Sequence, residues 1–117
     1  MAGPLSSSGL SSETDTSITL AVLGYTDSES VAPAIAYEDA VLPILDDHGA
    51  TLLYRGRRVD GQDDSLPLEV HLIRFPHRRA LAAYLVDERR SALIRQHGEV
   101  FNRTETVEIV PITIGET

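Results

Sequence analysis

Two residues in this 117-residue sequence stand where proton chemistry needs them, Glu38 and His71. On a helical wheel of about 100° per residue, Val31, Ala34, Ile35, Val41, Leu42 and Leu45 fill one arc, and Glu38 falls near its middle. A carboxylate facing a core must be paired, hydrogen-bonded or protonated, because a lone buried charge is too costly to keep. Such a group has a raised pKa and can move protons at neutral pH. Two structural alternatives stand beside this reading: an ion pair with Arg55 or Arg74, or a bend at Pro43 that turns Glu38 to solvent. His71 lies mid-strand in LEVHLIRF and by alternation shares a face with Glu69, Ile73 and Phe75. If that face lines a pocket, a neutral imidazole there is a general base or a donor to a ligand oxygen. The alternative is a histidine satisfied at a subunit seam or by a neighbouring strand.

Around these two, Tyr25, Tyr54 and Tyr84 offer phenols on or beside elements expected to face a pocket, and Arg55, Arg57 and Arg74 offer planar donors from strands. An Arg with a Tyr suits a carbonyl, enolate or carboxylate oxygen, so Arg55 and Tyr54 are candidate oxyanion or orienting groups. The same side chains also serve ordinary ends, a Tyr ring in the core or an Arg paired with surplus acid. His48 and His97 each precede a glycine, where a helix end explains both. His97 also shares an apolar arc with Leu93, Val100 and Phe101 and is kept as a substrate-binding candidate. His77, after Phe75-Pro76, is expected to be solvated. No HxH, HxxxH or HExxH spacing exists, and Asp46-Asp47 and DGQDD (Asp60–Asp64) lack an EF-hand's ordered ligands, so no metal is expected. Haem needs one axial ligand, which spacing at His71 or His97 permits, but nothing in the sequence argues for it. Neither a Gly-x-Ser-x-Gly elbow nor a phosphate-binding glycine loop is present, which speaks against acyl-serine chemistry and nucleotide cofactors.

Composition narrows the field further. Every basic residue is Arg, and ten of them against eighteen Asp and Glu give a net charge of −8. Without lysine there is no Schiff base, and without cysteine there is no disulfide, thiolate nucleophile or iron–sulfur cluster. The acidic balance speaks against nucleic acid, and RGRR (Arg55–Arg58) is too short and too flanked by Asp to reverse that. No apolar run approaches the ~20 residues that span a bilayer, and the start lacks a secretory pattern, so a cytoplasmic protein with no membrane partner is expected. A chain of this length can build one core without staples.

The elements that must position these groups follow in order. Residues 1–16, rich in Ser, Gly and Thr, are expected to be a disordered tail, with residues 17–117 as one domain. Ser17–Tyr25 is a near-continuous aliphatic run, the pattern of a strand covered on both faces. Residues 29–48 predict a helix with Ser30 as N-cap, Pro33 in its first turn, a bend at Pro43 and a stop at Gly49. Thr51–Val59 and Leu68–Phe75 predict an antiparallel hairpin around Asp60-Gly61. From Arg78 to His97 the period is helical, with a break near Val86-Asp87, and Thr104–Ile114 predicts a last strand in which Pro111 implies an edge or a bulge. The order βαββαβ is the ferredoxin-like, split βαβ arrangement of the α+β class: a four-stranded antiparallel sheet with its helices on one face. The other face carries aliphatic residues that a monomer would expose, which predicts a homodimer with two sheets face to face.

HGATLLYRG (His48–Gly56), the strand ending at Phe75-Pro76, ALAAYLVDERR (Ala80–Arg90) and RTETVEIV (Arg103–Val110) resemble the dimeric α/β-barrel superfamily, in particular its small bacterial domains of unknown function. The resemblance covers residues 17–114. Arg55 matches the Arg that closes the second strand in that family, and Phe75-Pro76 matches its Phe-Pro step. DGQDD and Arg89 depart from its pattern, where an acidic residue with Gly and an aromatic are usual. The resemblance implies a homodimeric barrel with a pocket in each subunit between sheet and helices. It further implies a small-molecule ligand and a place among cofactor-free cyclases, isomerases, dehydratases and monooxygenases acting on oxygenated, aromatic or polyketide-like molecules, or among haem-handling proteins. Fold kinship cannot choose among these. A cofactor-free enzyme with Glu38 and His71 as acid and base therefore stands beside a non-catalytic binding or interaction module on the same dimer. An enzyme should bury those residues around an open pocket, whereas a scaffold should fill the space.

Overall fold

The computed structural model describes residues 16–98, 100–112 and 114. The expected N-terminal tail lies, but for Thr16, outside the described residues. Four strands, β1 (Ile18–Tyr25), β2 (Thr51–Arg57), β3 (Glu69–Phe75) and β4 (Arg103–Ile109), form one sheet in the order β2-β3-β1-β4, every neighbouring pair antiparallel. The helices are α1 (Val31–Val41), α2 (Arg78–Leu85) and α3 (Glu88–His97), flanked by short 3-10 segments at Ser28–Ser30 and Leu42–His48. This is the expected ferredoxin-like βαββαβ fold, with its second helical crossover broken in two.

Proline and aspartate chemistry sets the helix boundaries. Pro43 cannot donate to the helical ladder, and at Val41 α1 gives way to the tighter 3-10 turns that carry it, before Gly49 ends the segment at φ 71°. Ser30 stands at the N-cap of α1 as expected, without a capping bond from its side chain, and the 3-10 turn before it is capped by Asp27, whose carboxylate accepts from the Glu29 amide at 3.1 Å. The break in the second crossover belongs to Asp87, which accepts from the Arg89 amide at 2.8 Å and so caps α3. It also takes His48 Nε2 at 2.7 Å, so His48, read as a helix-end residue, ties the first crossover to the second.

Strand ends differ from expectation by one residue at the starts of β1 (Ile18) and β4 (Arg103) and at three further places. β2 stops at Arg57 rather than Val59. β3 starts at Glu69, although Leu68 still bonds Gly24 and Arg58 through its own backbone. β4 ends at Ile109 rather than Ile114, because Pro111 has no N–H for the ladder, and as an edge strand β4 has β1 as its single neighbour.

Register decides what faces the helices. Ile18, Leu20 and Val22 on β1 stand opposite Phe75, Ile73 and His71 on β3. With Val41, Ile44 and Leu45 from the first crossover and Tyr84 from α2, the aliphatic members and Phe75 make the main core, in which Leu45 and Phe75 are each 1% exposed. A smaller cluster of Ala34, Leu68 and Val100 sits at the other end. In β2 the pairing slips between Leu52, opposite Ile73, and Tyr54, opposite Leu72, so Leu53 is an extra residue in a β-bulge. Past the bulge, Arg55 and Arg57 stand opposite His71 and Glu69 on the helix side, and Tyr54 opposite Leu72 on the other. That other face carries Leu23, Val70, Leu72, Tyr54 and Val107 with no helix of the described residues over it, the last two being 59% and 51% exposed. No helix among the described residues is long and apolar enough to cross a membrane.

Candidate functional site

Between the two core clusters the helices stand off the sheet and leave a cavity of about 570 Å³, the size of pockets that hold small organic molecules. Its floor is Leu20, Val22, His71 and Ile73, and its roof comes from α1, α2 and α3 through residues including Tyr37, Glu38, Tyr84, Arg90 and Ile94. Thr104 and Thr106 of β4 add two hydroxyls to a mostly apolar wall. Phe101 closes one end. It lies so near β1 that a Cβ at Gly24 would come within 2.8 Å of its ring, and glycine is what lets the ring seat there.

Glu38 and His71 are brought together as the sequence suggested, with a third group beside them. One ligating atom each from Glu38, Glu69 and His71 lie within 4.8 Å of one another. His71 Nε2 bonds Glu69 Oε1 at 2.8 Å, and both side chains are buried. Glu69, 1% exposed, is held from behind by two guanidinium groups: Arg55 Nε at 2.8 Å and Nη2 at 3.0 Å, and Arg57 Nε at 2.8 Å. Arg55 reaches on to Asp39 of α1 at 2.9 Å. Thus Arg55 neither pairs with Glu38 nor lines the cavity; it braces Glu69, and its own pKa is raised chiefly by that hydrogen bond.

The two carboxyls titrate in opposite directions because their partners differ. Burial alone pushes Glu69 up, but the hydrogen bonds from His71, Arg55 and Arg57 more than offset it and hold the group at about 2. Glu38, 9% exposed, has no hydrogen-bond partner among the described residues. Burial pushes it up to about 7; His71, Arg55 and Arg90 oppose the rise and the Glu69 charge reinforces it. An ionised Glu69 can only accept, so Nε2 of His71 carries the hydrogen and Nδ1 of the neutral ring is the acceptor. The result is an oriented imidazole beside a carboxyl poised near neutrality, the divergence of paired titratable groups that acid–base sites use. As a metal site the trio is poorly suited, since the oxygens of Glu69 are already engaged by Arg55, Arg57 and His71. Spacing rules did not foresee the cluster because it is assembled across α1 and β3.

Other expected site residues fall elsewhere. Tyr84 lines the cavity, and burial raises its pKa. Tyr25 and Tyr54 project from the opposite, helix-free face, Tyr54 because of the bulge and Tyr25 because β1 alternates. There the Tyr25 hydroxyl donates to Glu105 at 2.8 Å, and its ring lies under Arg103 at 4.0 Å. Arg74, opposite Thr19 and Thr51, shares that face and is exposed. His97 is not among the lining residues; its ring packs edge-on against Tyr37, with centroids 5.8 Å apart. Sequence reasoning passed over Glu69, Tyr37 and Arg90. Glu69 shared His71's face by simple alternation, whereas Tyr37 and Arg90 carried no signal beyond helical spacing.

No protein-family model matches the chain, and no curated protein matches it. Solved structures do match in fold. A protein from Bacteroides thetaiotaomicron described as a putative antibiotic biosynthesis monooxygenase superposes with a TM-score of 0.68 at 11% identity, over 88% of this chain and 96% of that one. A dabb family protein with a ferredoxin-like fold from Mesorhizobium loti gives 0.58 at 17% identity, over 84% and 99%. A NIPSNAP family protein of unknown function from Agrobacterium tumefaciens gives 0.65 at 13%, over 86% and 92%. The likeness is one of fold, that of the ferredoxin-like dabb, NIPSNAP and monooxygenase-like proteins.

Proposed function

We propose that this chain binds a small, largely apolar oxygenated molecule in the cavity and moves a proton on it, working as a cofactor-free enzyme of the cyclase, isomerase or dehydratase kind. The observation that carries this reading is a buried Glu38 without a hydrogen-bond partner among the described residues, its pKa pushed up to about 7, facing the same cavity as a His71 oriented by Glu69. Glu38 in its ionised form takes a proton from carbon or oxygen next to a substrate carbonyl. The electron pair left behind moves onto the carbonyl oxygen. Glu38, now protonated, returns that proton to carbon or oxygen of the product, Nδ1 of His71 accepts a hydrogen bond from a substrate or enol hydroxyl, and the Arg55–Arg57 pair keeps Glu69 ionised throughout. A filled scaffold would have put Leu, Ile or Phe where the cavity is, which favours catalysis over a purely structural module. The helix-free sheet face supports the companion reading, a homodimer joined sheet to sheet.

The uncharged ketone 2-tetralone, which has exchangeable hydrogens beside its carbonyl, tests the chemistry. In deuterated buffer at neutral pH the protein should speed deuterium uptake, followed by NMR. Glu38→Gln and His71→Ala should each lose a factor of about 10² or more of that acceleration, the usual weight of a placed acid or base. Equal rates for all three folded proteins would end the assignment.

A further inference from the structure

Arg90 sits third in α3 and is the sole arginine among the residues lining the cavity. Six of the ten arginines are paired: Arg55, Arg57, Arg58, Arg78, Arg89 and Arg103 each have a carboxylate oxygen within 4.0 Å. Arg90, half-buried, has none among the described residues. Its Nη1 donates to the Leu85 carbonyl at 3.1 Å, and its guanidinium carbon lies 5.3 Å from the centre of the Tyr84 ring, so the group is held in place without being neutralised. In a chain with eighteen acidic residues, an arginine aimed into an apolar hollow without a counter-ion is an exception that calls for one. The acids nearby do not supply it. Glu69 is engaged by Arg55, Arg57 and His71, and Glu38 lies beyond ion-pair distance of Arg90.

We propose that the cavity's ligand is an amphipathic acid, a ring-sized apolar body bearing one carboxylate, whose carboxylate pairs with Arg90 while the body lies along Leu20, Ile73 and Ile94 toward Glu38 and His71. Planar carboxylate against planar guanidinium is the match that arginine, rather than lysine, provides. The inference rests on the cavity being a ligand site, as in the reading above, and adds the chemical class of the ligand.

Two probes of the same shape, 2-naphthoate and the uncharged 2-naphthamide, separate the charge from the apolar body. Titration calorimetry at about pH 6, where Glu38 is mostly protonated, should show naphthoate binding at least tenfold more tightly than naphthamide. Arg90→Met should abolish that preference while leaving naphthamide affinity within about twofold, and Arg90→Lys should keep part of it; near-ultraviolet circular dichroism checks the fold of each. Equal affinity of the two probes for the wild type, or a preference that survives Arg90→Met, overturns the proposal and leaves the cavity reading intact. Binding of neither probe overturns both.

Discussion

Two carboxyls a few ångströms apart pull stability in opposite directions as pH changes. The native state holds the Glu38 proton up to about 7, whereas the unfolded chain releases it near the ordinary 4.5, so folding stability falls as pH rises through that window. The cost at pH 8 is about 3 kcal/mol at 1.36 kcal/mol per pKa unit. Glu69, held at about 2, contributes stability that is present above 4.5 and lost as pH falls toward 2. Urea titrations of wild type and Glu38→Gln should therefore diverge with pH: the variant is the more stable at pH 8, by up to about 3 kcal/mol, and the gap closes below about pH 4.5. A constant difference across that range would mean that Glu38 is not buried in the manner described. At this scale the sequence was partly legible. A helical wheel put Glu38 in the apolar arc and alternation put His71 beside Glu69, because both depend on local period alone. Arg55 as a brace and Arg90 as a lone cation depend on what lies across the sheet or on the next helix, and local period carries no such information.

At the scale of elements, turn and cap chemistry predicted the crossovers well and the β2 faces badly. Pro43, Gly49 and Val86-Asp87 each left a mark that a linear reading detects, and the structure bends, stops or breaks there. The bulge at Leu53 left none, since TLLYRGR fits a regular strand as readily as an irregular one. Gly24 is another silent position: it reads as the end of an aliphatic run, yet it is where β1 admits the Phe101 ring. Gly24→Ala should cost about 1–3 kcal/mol, the usual penalty for overpacking, measured from the urea midpoint. Adding Phe101→Leu should recover much of that loss by making room for the new methyl, and if it recovers nothing, contact with the ring is not the cause.

For the molecule as a whole, the ferredoxin-like order followed from counting periodic segments, and the structure keeps it down to the antiparallel order β2-β3-β1-β4. On the dimeric reading proposed above, a second copy of this chain covers the helix-free face. With Leu72, Tyr54 and Val107 on that face, sedimentation equilibrium should give twice the 12.8 kDa chain mass, and Leu72→Asp with Val107→Asp should return it to one. A wild-type particle of one chain mass would show that the face stays wet. Leu53 is what lets Leu52 and Arg55 share the inner side of β2. Three steps along an even strand would have put them on opposite sides, and the surplus residue absorbs the odd step. Excising Leu53 would join Leu52 to Tyr54 in the pairing they already hold, opposite Ile73 and Leu72, and leave Arg55 and Arg57 over Glu69. Between Leu52 and Arg55 the chain thus carries one spare letter, and a version of β2 shorter by that letter keeps both of its sides.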